Sequence, residues 1–154
     1  MINAEVILEY NLWSKKLKKP KIYLNEKLGK ISKFLPYKKK IQMFTILLTN
    51  NNKIKNLNFK FRKKNKKTDV LSFPFWNIKE IKKNKDKKLY LGDIAISYQY
   101  VKSRSKFTNF NFEFDKMWLH GYLHLLGYDH KKNKDYYRMK KIEDKLLKYL
   151  QKTN

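Results

Sequence analysis

Cysteine is absent from the chain, which excludes disulfide bridges and thiolate metal sites alike. The four glycines are scattered, so no glycine-rich loop is present to cradle a nucleotide phosphate. The three prolines are isolated, and nothing reads as a proline-rich linker. Long apolar runs are missing too. Met43 to Leu48 is among the longest and falls far short of the ~20 residues needed to cross a bilayer. The opening MINAEVILEY lacks a basic start, and Glu5 and Glu9 break its apolar residues, so it does not read as a signal peptide. Together with the missing cysteine, this sets a cytoplasmic location, with no membrane association, as the expectation. Acidic residues are scarce: 13 Asp and Glu stand against 38 Lys and Arg, a formal net charge of +25.

A charge of that size favours polyanions, whether RNA, DNA or an anionic membrane surface. Lys, Asn, Ile, Phe and Tyr all have AT-rich codons, so compositional drift also accounts for much of it. The charge therefore permits nucleic-acid binding without identifying it. Hydrophobic residues make up 42% and aromatics 16%, enough for a core, and 154 residues suit one domain spanning 1–154.

Histidine is as rare as proline, but it is concentrated. All three, His120, His124 and His130, lie in LHGYLHLLGYDH at 119–130. His120 and His124 are one helical turn apart and share a face. Gly127 can turn left-handed and end the helix, swinging His130 back toward the other two. Three imidazoles converging on one point make a zinc site with an open fourth position. The alternative is core or surface histidines on an amphipathic helix. H-x-x-x-H-x-x-G-x-x-H is also the spacing of metzincin peptidases, which carry Glu directly after the first His. Gly121 stands there instead, so the pattern points to hydrolysis other than zincin proteolysis.

Alternating strands and helices early, with helices dominating late, predict an α+β fold with a single mixed sheet packed with helices. Strands are expected at Ala4–Tyr10, Ile41–Thr49, Val70–Phe73 and Leu89–Ser97. Ile41–Thr49 is apolar on both faces and should be central. Helices are expected from Pro20 to Leu35, around Ile54–Phe61, from Tyr98 to about Ser105, from Asn111 or Glu113 through the histidines, and from about Asp135 to Leu150. The segments Lys38–Lys40, Arg62–Lys67 and Ile78–Lys88 read as basic loops.

Five further residues stand out. Arg62, at a helix end before a short strand, can clamp a phosphate or be an ordinary surface arginine. Thr68 and Asp69 read as turn or capping residues. Asp93 can orient a metal-bound histidine or close a strand-end turn. Asp129, beside His130, is equally open.

LHGYLHLLGYDH, TDVLSFPF with Arg62 upstream, and LGDIAIS together resemble the YbeY family of bacterial endoribonucleases, or rRNA maturation factors. The likeness runs from the first strand to the last helix. It implies a single α+β domain with one zinc ion on His120, His124 and His130. It also implies metal-dependent cleavage of single-stranded RNA, small-subunit ribosomal RNA 3′-end processing, and a part in ribosome quality control. By the same resemblance Arg62 would be essential to catalysis, and the partners would be single-stranded RNA, ribosomal RNA and the ribosome. Lys131, Lys132 and Lys134, where the family often has acidic residues, and the Lys-rich stretch between Trp76 and Leu89 are departures. The rival readings are a metalloprotease and a non-catalytic RNA- or ribosome-binding protein with a structural metal.

Overall fold

The computed structural model describes residues 1–37, 39–130 and 132–153. Lys131, one of the departures above, and Lys38 lie outside the described residues. Ten elements follow in order. They are β1 (Ile2–Leu8), α1 (Pro20–Ile31), β2 (Ile41–Thr49), α2 (Asn51–Arg62), β3 (Val70–Pro74), α3 (Ile78–Lys83), β4 (Lys88–Ser97), α4 (Tyr98–Arg104), α5 (Phe110–Leu125) and α6 (Asn133–Lys152). The strands form one mixed sheet in the order β1-β2-β4-β3, in which β3 alone runs antiparallel to its neighbour. The expected α+β class and the central place of Ile41–Thr49 both hold.

The period-2 pattern of β2 decides which face is the core. Gln42, Phe44, Ile46 and Leu48 are buried toward the helices, whereas Met43 is exposed and Thr45 and Leu47 are half-buried on the opposite face. The strand is thus less apolar on its second side than its sequence implies. On the first face α1, α5 and α6 enclose the main core around Trp13, Phe114, Trp118 and Tyr122. On the second face, among the described residues, α2 alone packs down, through Ile54 and Leu57 onto Leu71 and Ala95.

The first face also encloses charge. Asp115 of α5 accepts from Tyr23 Oη at 3.0 Å and Trp118 Nε1 at 2.8 Å, and its carboxylate lies 3.3 Å from Lys27 Nζ. Burial raises the Asp115 pKa, opposed by these donors and by the Lys27 charge.

Several boundaries differ from the sequence reading. β1 starts and ends two residues earlier than expected, and the helix from Pro20 stops at Ile31 before a 3-10 turn at Ser32–Phe34. The stretch Ile78–Lys83, expected to be loop, is helical: Asn77 and Glu80 form a reciprocal capping box and Ile81 is buried. Helix α5 begins at Phe110, earlier than Asn111 or Glu113, because Asn109 caps it by accepting from Phe112 N. Lys40 is not simply solvated, since its ammonium donates to the carbonyls of Asn84 and Asp86.

Candidate metal centre

Helix α5 is the most buried helix, and it presents His120 and His124 at its C-terminal end. It stops as its sequence requires. Gly127 has φ +88, Tyr128 N donates to Leu123 O at 3.1 Å and Gly127 N donates to His124 O at 2.9 Å, the Schellman arrangement. That turn brings His130 back. Its ring centroid lies 4.8 Å from that of His124 and 5.6 Å from that of His120. Each of the three residues offers a ligand nitrogen, and these atoms lie within 4.8 Å of one another.

Hydrogen bonding fixes which nitrogens face inward. His124 Nδ1 lies 2.9 Å from the Tyr128 carbonyl, which can only accept, so Nδ1 carries the proton. His120 Nδ1 lies 3.1 Å from Glu143 Oε1, a carboxylate that likewise accepts. In neutral rings both Nε2 lone pairs then point inward, and the two atoms stand 3.2 Å apart. Two lone pairs at that distance repel unless a cation lies between them. Two imidazole nitrogens bound at ~2.05 Å to one tetrahedral ion would be ~3.3 Å apart. The residues therefore fit a metal.

Burial, reinforced by the neighbouring His120 and His130, pushes the His124 pKa down to about 4, against the opposing Tyr128 carbonyl and Asp129. The ring is neutral at pH 7, the form a metal requires. His130 is exposed, which leaves the group open to solvent on one side. A cavity of about 460 Å³ beyond the Gly127 turn is lined by Tyr37, Lys82, Tyr128 and Arg138 among others, and by none of the three histidines.

Gly121 acquires a reason. A Cβ there would lie 2.9 Å from Ile94 Cγ2 and 3.1 Å from Ser72 Oγ, so α5 meets the sheet at this position. A glutamate at 121 would collide with the sheet in this packing. Ser72 Oγ donates to Gly121 O at 3.2 Å, which pins β3 to the metal helix.

Arg62 is the last residue of α2, not the first of a loop. Lys63 leaves the helix in the left-handed conformation at φ +58. The Arg62 guanidinium donates to Ser72 O at 3.0 Å and lies 6.0 Å from the Phe73 ring centroid. It thus lies against β3, the edge strand whose Ser72 hydroxyl reaches Gly121 O. Thr68 and Asp69 have the turn role expected: Asp69 accepts from Thr68 Oγ1 and Val70 N, and pairs with Arg104 at 2.8 Å. Asp93 accepts from Tyr90 Oη at 2.6 Å and is exposed, while Glu143 is the carboxylate at His120. Asp129 accepts from the backbone N–H of His130 at 2.7 Å.

Sequence reasoning missed Glu143. Its signal was legible: it shares a helical stripe with the buried Met139, Leu146 and Leu150, where a carboxylate needs a partner.

These features define a class: an α+β domain whose three histidines can hold a metal ion, beside a strand whose Ser72 carbonyl accepts from an arginine at the end of α2. Residues 10–151 match the family described as Endoribonuclease YbeY. A protein of that name from Pelagibacter ubique (strain HTCC1062) is 47% identical over 97% of each chain. Another, from Ehrlichia canis (strain Jake), is 36% identical over 93% of this chain and 90% of its own. The solution structure of TM1509 from Thermotoga maritima superposes with a TM-score of 0.61 at 29% identity, covering 97% of this chain and 89% of that one. The chain belongs to the YbeY family of endoribonucleases.

Proposed function

We propose that this chain is a zinc-dependent endoribonuclease specific for single strands. It would act in the cytoplasm on ribosomal RNA, at the small-subunit 3′ end and in ribosome quality control. The observation that carries the metal-dependent reading is the pair of inward-facing Nε2 lone pairs on His120 and His124, 3.2 Å apart, with His130 folded back beside them. His120, His124 and His130 would hold the ion. Three nitrogen ligands with one side open suit catalytic zinc, whereas structural zinc takes four protein ligands. When bound, zinc supplies Lewis acidity, polarising a phosphoryl oxygen and lowering the pKa of water to about 7.

The chain's own groups supply the rest. Glu143 and the Tyr128 carbonyl hold two imidazoles in the tautomer that turns Nε2 inward. Arg62 would swing from the Ser72 carbonyl to the phosphate and stabilise the charge that develops on its oxygens. No side chain at Gly121 can serve as a peptidase base, which disfavours the metalloprotease.

The test is cleavage of single-stranded and duplex RNA by the full chain, with zinc present, chelated and restored. Cutting of the single strand that follows zinc is expected. Arg62→Ala should lower the rate by about 10²–10³ with zinc still bound. Intact RNA with the zinc-loaded wild type, or full activity in Arg62→Ala, would overturn the assignment in question.

A further inference from the structure

The second face of the sheet is unfinished. Helix α2 covers only one end of it, and beyond that cover a row of aromatic rings is open to solvent. Phe61, at the end of α2, packs edge-on against Phe73 of β3 with centroids 5.1 Å apart. Phe75, two residues farther on, lies 6.0 Å from Tyr90 of β4. Phe75 lies just past the end of β3, and its ring stands against Tyr90, whose hydroxyl is bonded to Thr45 on the second face. Phe61 is 58% exposed and Phe75 63% exposed, more than burial alone would leave. Tyr90 is held in place by hydrogen bonds to Thr45 at 2.8 Å and Asp93 at 2.6 Å, so its ring is a fixed wall.

Cations sit on this row. Lys60 Nζ lies 5.4 Å from the Phe61 centroid, and the Arg62 guanidinium lies 6.0 Å from that of Phe73. From Lys53 to Thr68 the chain carries eight Lys and Arg and no acidic residue. The two sets are interleaved in the pattern that takes stacked bases and their phosphates together. Protein-docking surfaces are instead depleted in lysine. Arg62 joins the row to the metal centre. It bonds the Ser72 carbonyl, and the Ser72 hydroxyl reaches Gly121 O, next to His120.

We propose that Phe61, Phe73, Phe75 and Tyr90 form a stacking platform for the unpaired bases that flank the cleaved phosphate, with Lys60 and Arg62 on the backbone. The strand would pass from this face over β3 to the histidines. Asp93, the carboxylate bonded to Tyr90, marks the far limit of the track. This rests on the endoribonuclease reading and assigns it a substrate subsite outside the metal centre.

The experiment uses the full chain with chelator present, so that RNA binds without being cut. The probe is a single-stranded oligouridylate carrying one 2-aminopurine. The wild type should quench the probe's fluorescence by stacking. Phe75→Ala and Phe61→Ala should each weaken binding about 5- to 150-fold and relieve the quench, with the salt slope unchanged because no phosphate contact is lost. Phe75→Trp should restore both, and circular dichroism should stay that of the wild type. Unchanged affinity and quench in both alanine variants would overturn the platform. So would unchanged RNA binding with loss of a dimer that the wild type forms, which would make the face a protein contact. Zinc-dependent cleavage is measured in parallel: binding that depends on Phe75 without any cleavage would sink the enzymatic reading and leave the platform standing.

Discussion

The two faces of the sheet are built to different rules. The helix-covered face is closed, aromatic and well enough packed to enclose the Lys27–Asp115 pair. The α2 face buries only a small cluster and leaves Met43, Phe61 and Phe75 exposed. The histidines ride on the closed face, where packing supplies the rigidity that metal ligands would need, to within tenths of an ångström. Arg62 and the aromatic row belong to the open face, where a polymer has room to lie. A site shared between a rigid and an open side suggests that the ion is held by one and the substrate by the other.

Three changes probe this contrast on the closed side, where the costs should be largest. Asp115→Ala removes the carboxylate beside a buried ammonium and should cost about 3–5 kcal/mol of stability, read by urea denaturation. A loss below 1 kcal/mol would mean the closed face tolerates charge as the open face does. Glu143→Gln keeps an acceptor for His120 Nδ1 but removes the charge. It should weaken zinc binding about 10- to 100-fold by competition with a chromophoric chelator, leaving the fold intact. Gly121→Ala sets two terms against each other. Helix propensity favours alanine by ~1 kcal/mol, while overpacking against Ile94 and Ser72 costs ~1–3. Packing should win, with a net loss of ~1 kcal/mol in thermal unfolding. A gain would show that α5 can slide on the sheet.

The closed face was the more legible in the sequence. Leu119 to His130 declares its helix, its glycine exit and the return of its third histidine through local spacing alone, and β2 and β4 announce themselves as apolar runs. Glu143 was harder, since its partner lies 23 residues away and only the geometry of α6 brings them together. Helix α3 was hidden by its lysines, which mask a one-residue apolar anchor, Ile81, and a capping box. Asp93 could not be assigned locally. Gly92, at φ +132, sits where the β2–β4 register slips, so Tyr90 and Asp93 fall on one face although three residues apart. Regular alternation would separate them. The aromatic row was equally hidden, because nothing in TDVLSFPF says that α2 stops short of covering it.

The central claim is that three imidazoles share one ion. Zinc content of the purified full chain, paired with X-ray absorption at the zinc edge, tests it most directly. The expected result is one zinc per chain, with three nitrogen neighbours at about 2.0–2.1 Å and a light atom in the remaining position. A chain that takes up no zinc, or whose zinc has ligands other than His120, His124 and His130, would contradict the account.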